Sequence, residues 1–490
     1  MRKIKSIILG LAMAFSAVSC QHVLDVNTDP NNPTSANPEQ LLPNAQVTLA
    51  AALDYQYVLV AAEWAQYWTT GTTIGLDTKE NFIMVGGDIS RSWNNTYARS
   101  LEDFYQLTKS GQPIYSGISK IMMAYTYQML VDLHGDIPFT EALKGAIEDG
   151  GILTPKFDKP EDVYAALIPL IDEGLDEINN ATVNDKKPGD DDILYAGDLA
   201  AWRTFANTLK LKILVRQCQA DGSKLTEAYD LINSGATFID ETNPAQVYFS
   251  GASFQNSNPL WASFESRQIA NPMYLDASQT SIDFLNGTSD PRISTIYYKG
   301  TDPDFVGIEQ GEGNNVPYKA TADTKYAKPN KTYVYANNLP VILLSAWESK
   351  FLQAEVMTRE DDGGQEAMWN AGIEASFNYF GLGAGFPTFL SGLTFGVSEN
   401  EQLKSIALQK WVSMNGVQMV EGWIETRRFD VESAPFIIFR GVGGIFHQPS
   451  QSSLADNQFP SLFVYGLNEA SCNPNTPPNR KVTDKVFWDN

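Results

Sequence analysis

The sequence predicts a mainly α-helical protein of about four helix hairpins, interrupted by long irregular loop insertions. Three observations lead there. Apolar side chains recur at helical spacing in segments that come in adjacent pairs. A long central stretch, about 235–339, has no such period yet is rich in aromatics. A chain of 490 residues, 43% of them apolar and 11% aromatic, is large enough to bury a substantial core.

Taken in order, Glu39 to Trp68 is Ala-rich and helical, with one early proline at Pro43. Ser92 to Lys109 places Trp93, Tyr97, Leu101, Phe104 and Tyr105 at helical steps. Ile114, Ile118, Ile121, Tyr125 and Met129 form one stripe, which Pro113 starts and Gly135 with Pro138 stops. Pro160 to Asn180 repeats that logic through Val163, Leu167, Leu170, Ile171, Leu175 and Ile178. Helices over 198–219 and 224–233 follow. Within 235–339, segments such as FSGASFQNSNPLWASFE predict loops, short helices and a hairpin. A region this long without a period is usually functional or disordered, and its aromatic content argues against disorder. The helical pattern returns at 344–359 through Trp347, Phe351, Ala354 and Met357, resumes at 364–380 after Gly363-Gly364, and closes with 399–414 and 417–428 about Asn415-Gly416. The remainder reads as loop.

Pairing 113–134 with 160–180, 198–219 with 224–233, 344–359 with 364–380 and 399–414 with 417–428 gives the four hairpins. The pattern looks like a degenerate tetratricopeptide scaffold, in which stacked neighbours share a core and long loops build a ligand-binding face. A non-repeating helical domain is compatible with the same pattern.

At the start of the chain Arg2, Lys3 and Lys5 precede the apolar run Ile7 to Val18 and then Ser19-Cys20. The run is too short to span a bilayer and reads as a secretory signal. Small residues ahead of a cysteine resemble a bacterial lipobox. On that resemblance, residues 1–19 are removed and Cys20 carries the acyl chains that hold the protein on a membrane. Residues 20–38, with Asp29-Pro30, Asn32-Pro33 and Asn37-Pro38, read as a tether, and 39–490 as the folded domain. Gln21 after the cysteine points to the outer membrane rather than the inner one. No other apolar run approaches membrane length.

The formal charge is −23, and loss of the signal with its three basic residues deepens it to −26. Such a surface repels nucleic acid, anionic lipid and acidic polysaccharide, which leaves a neutral or basic ligand, or no more than a means of solubility. Cys218 and Cys472 are expected as idle or buried thiols, with a disulfide the lesser alternative. The three histidines, His22, His134 and His447, lie too far apart for zinc spacing, so no metal or cofactor is expected. The acidic run Asp190 to Asp192 reads as a solvated turn before it reads as a calcium site. No catalytic residue stands out. Among 58 acidic residues, carboxylate pairs arise by chance, no Gly-x-Ser-x-Gly elbow is present, and GLGAGF lacks the lysine and strand context of a phosphate loop.

Several ordered stretches are similar to the SusD/RagB outer-membrane lipoproteins of Bacteroidetes, within their SusD-like branch. NTDPNNPTSANPEQLLPNA resembles the opening after the tether. LVDLHGDIPFTEAL contributes Asp132, Gly135, Asp136, Ile137, Pro138, Glu141, Ala142 and Leu143. DILYAGDLAAWRTFANTLKLKILVR contributes Gly197, Asp198, Trp202, Phe205, Ala206, Asn207, Leu209, Lys210 and Arg216. QKWVSMNGVQMVEGWIETRR contributes Gln409, Lys410, Trp411, Glu421, Trp423, Arg427 and Arg428. The pattern departs at Phe429-Asp430, Leu462 and Gly466. Most of these positions read as scaffold. Asp136 and Asp198 are expected to cap helices or turns, and Arg427 and Arg428 to form ion pairs along a helix face with Glu421 and Glu425.

The resemblance implies a surface binding protein and not an enzyme. It implies capture of an oligosaccharide, or alternatively of a peptide, and delivery to a SusC-like TonB-dependent transporter. Sugar binding needs flat aromatic faces with amides, carboxylates or arginine to fix the hydroxyls. The sequence offers Trp64, Tyr67 and Trp68, then Trp93 beside Asn94 and Asn95, then the Phe254 to Trp261 loop, and the pair Tyr297 and Tyr298. The candidate ligand residues are therefore Trp68, Trp93, Asn256, Asn258, Trp261 and Tyr298. Trp347, Trp411 and Trp423 lie on helix stripes and are assigned to the core.

Overall fold

The computed structural model describes residues 37–72, 78–265, 274–313, 315, 318, 323–430 and 437–489. The expected signal, Cys20 and nearly all of the tether lie outside the described residues.

Helices α1 (Pro38–Ala52) and α2 (Val58–Trp64) lead through a π turn, Leu53–Tyr57, into strand β1 (Trp68–Thr70). Next come α3 (Ser90–Asn95), a second π turn over Thr96–Leu101, and α4 (Glu102–Thr108). The body is built from α5 (Pro113–His134), α6 (Pro160–Asn180), α7 (Leu199–Gln217) and α8 (Ser223–Asn233). The insertion supplies β2 (Ala245–Val247), α9 (Pro259–Glu265), β3 (Leu275–Ala277), α10 (Gln279–Gly287), α11 (Ile293–Ile296), β4 (Tyr297–Tyr298) and β5 (Lys328–Pro329). The chain continues with β6 (Val341–Leu344), α12 (Ala346–Arg359), α13 (Gln365–Tyr379), α14 (Phe386–Leu390), α15 (Glu399–Met414), α16 (Met419–Arg428) and α17 (Leu467–Cys472). Among the described residues, no helix is long and apolar enough to cross a membrane.

The four predicted hairpins are present: α5 packs on α6, α7 on α8, α12 on α13, and α15 on α16. They also touch in series, α6 with α7, α7 with α12, and α12 with α15; a main core runs along the stack, and a smaller apolar cluster joins α7, α8 and α12. Local chemistry sets the ends. Proline opens α5 and α6, where the missing N–H is no loss. Gly135, at φ 75°, ends α5. Ser398 and Glu401 form a reciprocal capping box at α15. Asp198 caps α7 by accepting from the Ala200 N–H at 2.8 Å. Asp136 caps nothing; it forms ion pairs with Lys159 at 2.6 Å and Arg480 at 3.7 Å. Helices α5 and α6 cross at two glycines, Gly117 and Gly174, where a Cβ on either would collide with the other's carbonyl oxygen.

Other expectations change as well. The helix foreseen over 39–68 breaks at Asp54, whose φ −93° and ψ 38° leave the helical region, and it ends at Trp64. Within 235–339 the consecutive strands β4 and β5 pair antiparallel across a long connection, while β1 pairs with β3 and β2 with β6 at long range. The last two ladders fasten the insertion to the rest of the chain. Asp192 is buried rather than solvated, accepting from Gln46, Gly197 and the Trp202 indole. Cys218 and Cys472 are free.

At the centre lies a buried network of charges. Arg216 of α7 meets Glu425 of α16 at 2.5 Å, Glu421 of α16, and Asp132 of α5 at 3.4 Å. Lys212 meets Glu348 of α12 at 2.9 Å and Glu421 at 2.8 Å. Lys410 of α15 reaches Glu425 at 2.9 Å, and Arg428 joins Glu355 of α12 at 2.5 Å to Glu425 at 2.6 Å. Of the ion pairs expected along one helix face, only Arg428 with Glu425 forms; Glu421 pairs across to α7. Arg427 instead donates to the carbonyls of Ser461 and Asp132, its guanidinium 4.2 Å from the Trp423 ring. Burial alone would raise the Glu425 carboxyl, but Arg428, Lys410 and Arg216 outweigh it and hold it well below the usual range.

Glu425→Gln leaves these cations short of a partner and is expected to destabilise the fold by about 3–5 kcal/mol in chemical denaturation. His134 gives a second test. Burial, with the Arg480 charge beside it, lowers its pKa to about 3, so the folded imidazole is neutral while the unfolded one takes a proton below about pH 6.5. Stability carried by this group is full above that pH and is lost as pH falls, by up to about 1.4 kcal/mol per unit. His134→Phe is expected to show a flatter fall in unfolding free energy between neutral pH and about 5, where few carboxylates yet titrate.

Candidate ligand-binding site

The six residues singled out from the sequence divide by burial. Trp68 (0% exposed) lies in β1 opposite Ala277, and Trp93 (1%) packs in the core, 4.8 Å centroid to centroid from His134. Gly466 lies against the Trp93 ring so closely that a Cβ there would be 3.0 Å from it. Neither tryptophan offers a face to a ligand: both are buried, Trp68 in the β1–β3 pair and Trp93 under Gly466 among His134, Tyr97 and Tyr465. Trp64 and Tyr67 are buried too, the first donating to the Lys79 carbonyl and the second to the Trp411 carbonyl. Tyr298 is half-buried in β4 opposite Lys328, and its neighbour Tyr297 is buried. Trp347, Trp411 and Trp423 lie in the core, as their stripes predict.

The Phe254–Trp261 segment is different. Asn258 is buried and works locally: its Oδ1 accepts from the Trp261 N–H at 3.0 Å, which starts α9, with Pro259 in the first helical position. Its Nδ2 donates to Asp54 at 2.8 Å and to the Leu339 carbonyl at 3.3 Å. Trp261 is half-buried and backs Phe254, the ring centroids 6.5 Å apart. Phe254 itself is 47% exposed, and Asn256 is exposed on the same short turn.

Around Phe254 the fold assembles a site from three distant segments. Tyr55, Arg91, Asn95, Phe254, Pro259 and Ser263 line an open cavity of about 410 Å³. The break at Asp54 turns Tyr55 toward it, and the second π turn begins directly after Asn95; single-turn π segments inside helices often occur at functional positions. Gln56 Oε1 accepts from the backbone N–H groups of Arg91 and Ser92, at 2.8 and 3.1 Å, and fixes α3 against the first π turn. The Arg91 guanidinium lies 5.6 Å from the Tyr55 ring centre. Among the described residues, the Arg91 guanidinium, the Asn95 amide and the Tyr55 hydroxyl have no hydrogen-bond partner, so donors stand free beside two aromatic rings. Asp54, next in sequence to Tyr55, accepts from the Asn258 amide; its carboxyl, desolvated and only partly offset by Asn258, is pushed up to about 6. No group of three or more His, Cys, Asp or Glu among the described residues is placed to hold a metal ion.

Sequence reasoning reached Phe254, Trp261 and Asn95 but missed Tyr55 and Arg91. No local signal marks that pair, because a helical tyrosine and a helical arginine are ordinary surface residues. Asn258-Pro259, by contrast, is a recognisable helix start, and reading it as a cap would have moved Asn258 out of the ligand set.

A family model described as starch-binding and associating with the outer membrane matches residues 30–436. The chain belongs to the SusD-like family. Its relatives among solved structures include a chitin-binding protein, at TM-score 0.75 and 20% identity over 93% of this chain and 100% of that one. A Bacteroidetes SusD-like protein aligns at TM-score 0.76 and 18% identity, over 93% and 100% of the two chains. A SusD homolog from Bacteroides uniformis aligns at 0.73 and 20%, over 92% and 99%. At these identities the likeness is one of fold. No curated protein sequence matches. SusD-like proteins are binding proteins associated with glycan and the outer membrane, and this chain shares their tetratricopeptide-like helical fold.

Trp93→Ala is expected to cost about 3–5 kcal/mol of stability, measured by denaturant unfolding, as a buried tryptophan does and a ligand platform does not.

Proposed function

We propose that this SusD-like protein captures a neutral oligosaccharide at the cell surface, in the cavity between Tyr55, Arg91, Asn95 and Phe254. The observation that carries the reading is the pairing of aromatic rings with hydrogen-bond donors that have no partner among the described residues. A pyranose presents a C–H face and a rim of hydroxyls; the rings of Tyr55 and Phe254 suit the first, and Arg91, Asn95 and the nearby Asn256 suit the second. Trp261 acts behind Phe254, holding that ring in place. The negative charge of the chain favours a neutral glycan over an acidic one. The name of the chitin-binding relative points the same way, since chitin is an uncharged polymer.

In this reading Cys20 is acylated and residues 20–38 tether the binding domain, 39–490, to the outer membrane. The bound glycan is then passed to a SusC-like TonB-dependent transporter. The lipobox-like sequence before Cys20 and the family's association with the outer membrane support that placement.

Titration of the purified protein with neutral oligosaccharides tests the reading. Phe254→Ala and Tyr55→Ala are each expected to weaken binding about tenfold, the scale of one lost aromatic contact. Unchanged affinity in both variants would remove the cavity from the assignment, and binding of oligopeptides alone would replace the glycan with a peptide.

A further inference from the structure

A second cavity, of about 600 Å³, opens between the β2–β6 ladder and helices α12 and α13. Its volume falls within the roughly 300–1,000 Å³ of small-molecule sites. Tyr248, Tyr333, Trp347 and Tyr379 line it, with Glu241 and Asn378 among its polar groups. Tyr248 is 66% exposed, an unusual position for a large ring, and it is held by a hydrogen bond from the Gln246 amide. Behind it the Trp347 and Tyr379 rings meet edge to face, 5.2 Å between centroids.

Two features mark this as more than a fold in the surface. Trp347 is 4% exposed and its indole N–H has no partner among the described residues, which is a costly state for a buried donor unless a bound molecule accepts from it. The hydroxyls of Tyr333 and Tyr379 likewise have no hydrogen-bond partner among the described residues. Among the described residues no lysine or arginine lines the cavity, and Glu241 already accepts from Asn378 at 2.9 Å, so the lining does not call for an anion. Four rings, N–H and O–H groups without a partner among the described residues, and no cation in the lining select an uncharged, hydroxyl-bearing ligand.

The cavity also adjoins the one assigned above. Asn258 donates to Asp54 and to the Leu339 carbonyl. Tyr55 and Pro259, next in sequence to Asp54 and Asn258, line the first cavity, while Leu339 lines the second. The same side-chain bond therefore braces both.

We propose that the cavity lined by Tyr248, Tyr333, Trp347 and Tyr379 is a second saccharide-binding site, which takes a neutral sugar unit and extends the reach of the protein along one glycan chain. The inference rests on the reading of the first cavity as a glycan site. A sugar in the second stacks on Tyr248 and accepts from the Trp347 indole.

Calorimetric titration of the whole protein with a short neutral oligosaccharide, beside Tyr248→Ala, Trp347→Phe and Phe254→Ala, tests it. Two ligands per chain are expected for the natural protein and one for Tyr248→Ala. Trp347→Phe keeps the ring and removes the donor, and is expected to weaken the second binding event about tenfold. A longer oligosaccharide is expected to bind more tightly than the short one, with that gain lost in Tyr248→Ala. One ligand per chain, abolished by Phe254→Ala and untouched by Tyr248→Ala, overturns the second site and leaves the first standing. Binding abolished by Tyr248→Ala and untouched by Phe254→Ala upholds the second cavity and refutes the first. No binding to the natural protein refutes both.

Discussion

Every hairpin of the stack contributes a charge to one buried network. Asp132 comes from the first, Lys212 and Arg216 from the second, Glu348 and Glu355 from the third, and Lys410, Glu421, Glu425 and Arg428 from the fourth. Taking such groups out of water costs several kcal/mol each, repaid only when each finds its opposite at hydrogen-bonding distance. A hairpin that docked one turn out of register would leave charges unpaired in the interior. Apolar stripes bring the helices together, but they tolerate sliding. The ionic network does not, and it selects one arrangement of four otherwise similar units. The glycine crossing of Gly117 and Gly174 adds a second constraint of the same kind, since only there can two backbones approach so closely.

A fixed stack gives the insertion something rigid to attach to. The ladders β1–β3 and β2–β6 carry few hydrogen bonds, yet they join residues about two hundred and one hundred positions apart and anchor the irregular segment at both ends. Between those anchors the aromatics of the insertion face outward at Phe254 and Tyr248. On the helical side, the break at Asp54 aims Tyr55 at the same surface. The interruptions of regular structure, two π turns and an aperiodic loop, are thus the places where the protein presents groups left without a partner among the described residues. The interior aromatics, such as Trp423 stacked on Phe463 at 4.7 Å, are consumed by packing.

Electrostatics and site chemistry agree. A chain with a charge of −23 holds off anionic molecules at long range, and the two cavities offer rings, amides and hydroxyls rather than clustered cations. Arg91 is the one cation in the first cavity, without a carboxylate partner among the described residues, and it stands over an aromatic ring where a guanidinium can still donate to hydroxyls. Such a surface recognises shape and hydroxyl pattern more than charge.

The sequence by itself determined the helices and their pairing. Proline at the first position of α5 and α6, Gly135 after α5, the Ser398–Glu401 box and the apolar stripes are short-range signals, and each acts within a turn or two of where it is written. That is why four hairpins could be placed almost to the residue. Only the tertiary structure decided which aromatics face a ligand. Trp68 and Trp93 have the same local surroundings as a surface platform, and they are buried because a strand from position 275 onward and a loop at Gly466 close over them. Tyr55 and Arg91 carry no mark in sequence, and they meet Phe254 because the chain returns across two hundred residues to bring α9 against the first π turn. Burial depends on the sum of neighbours in space, and no local pattern contains that sum.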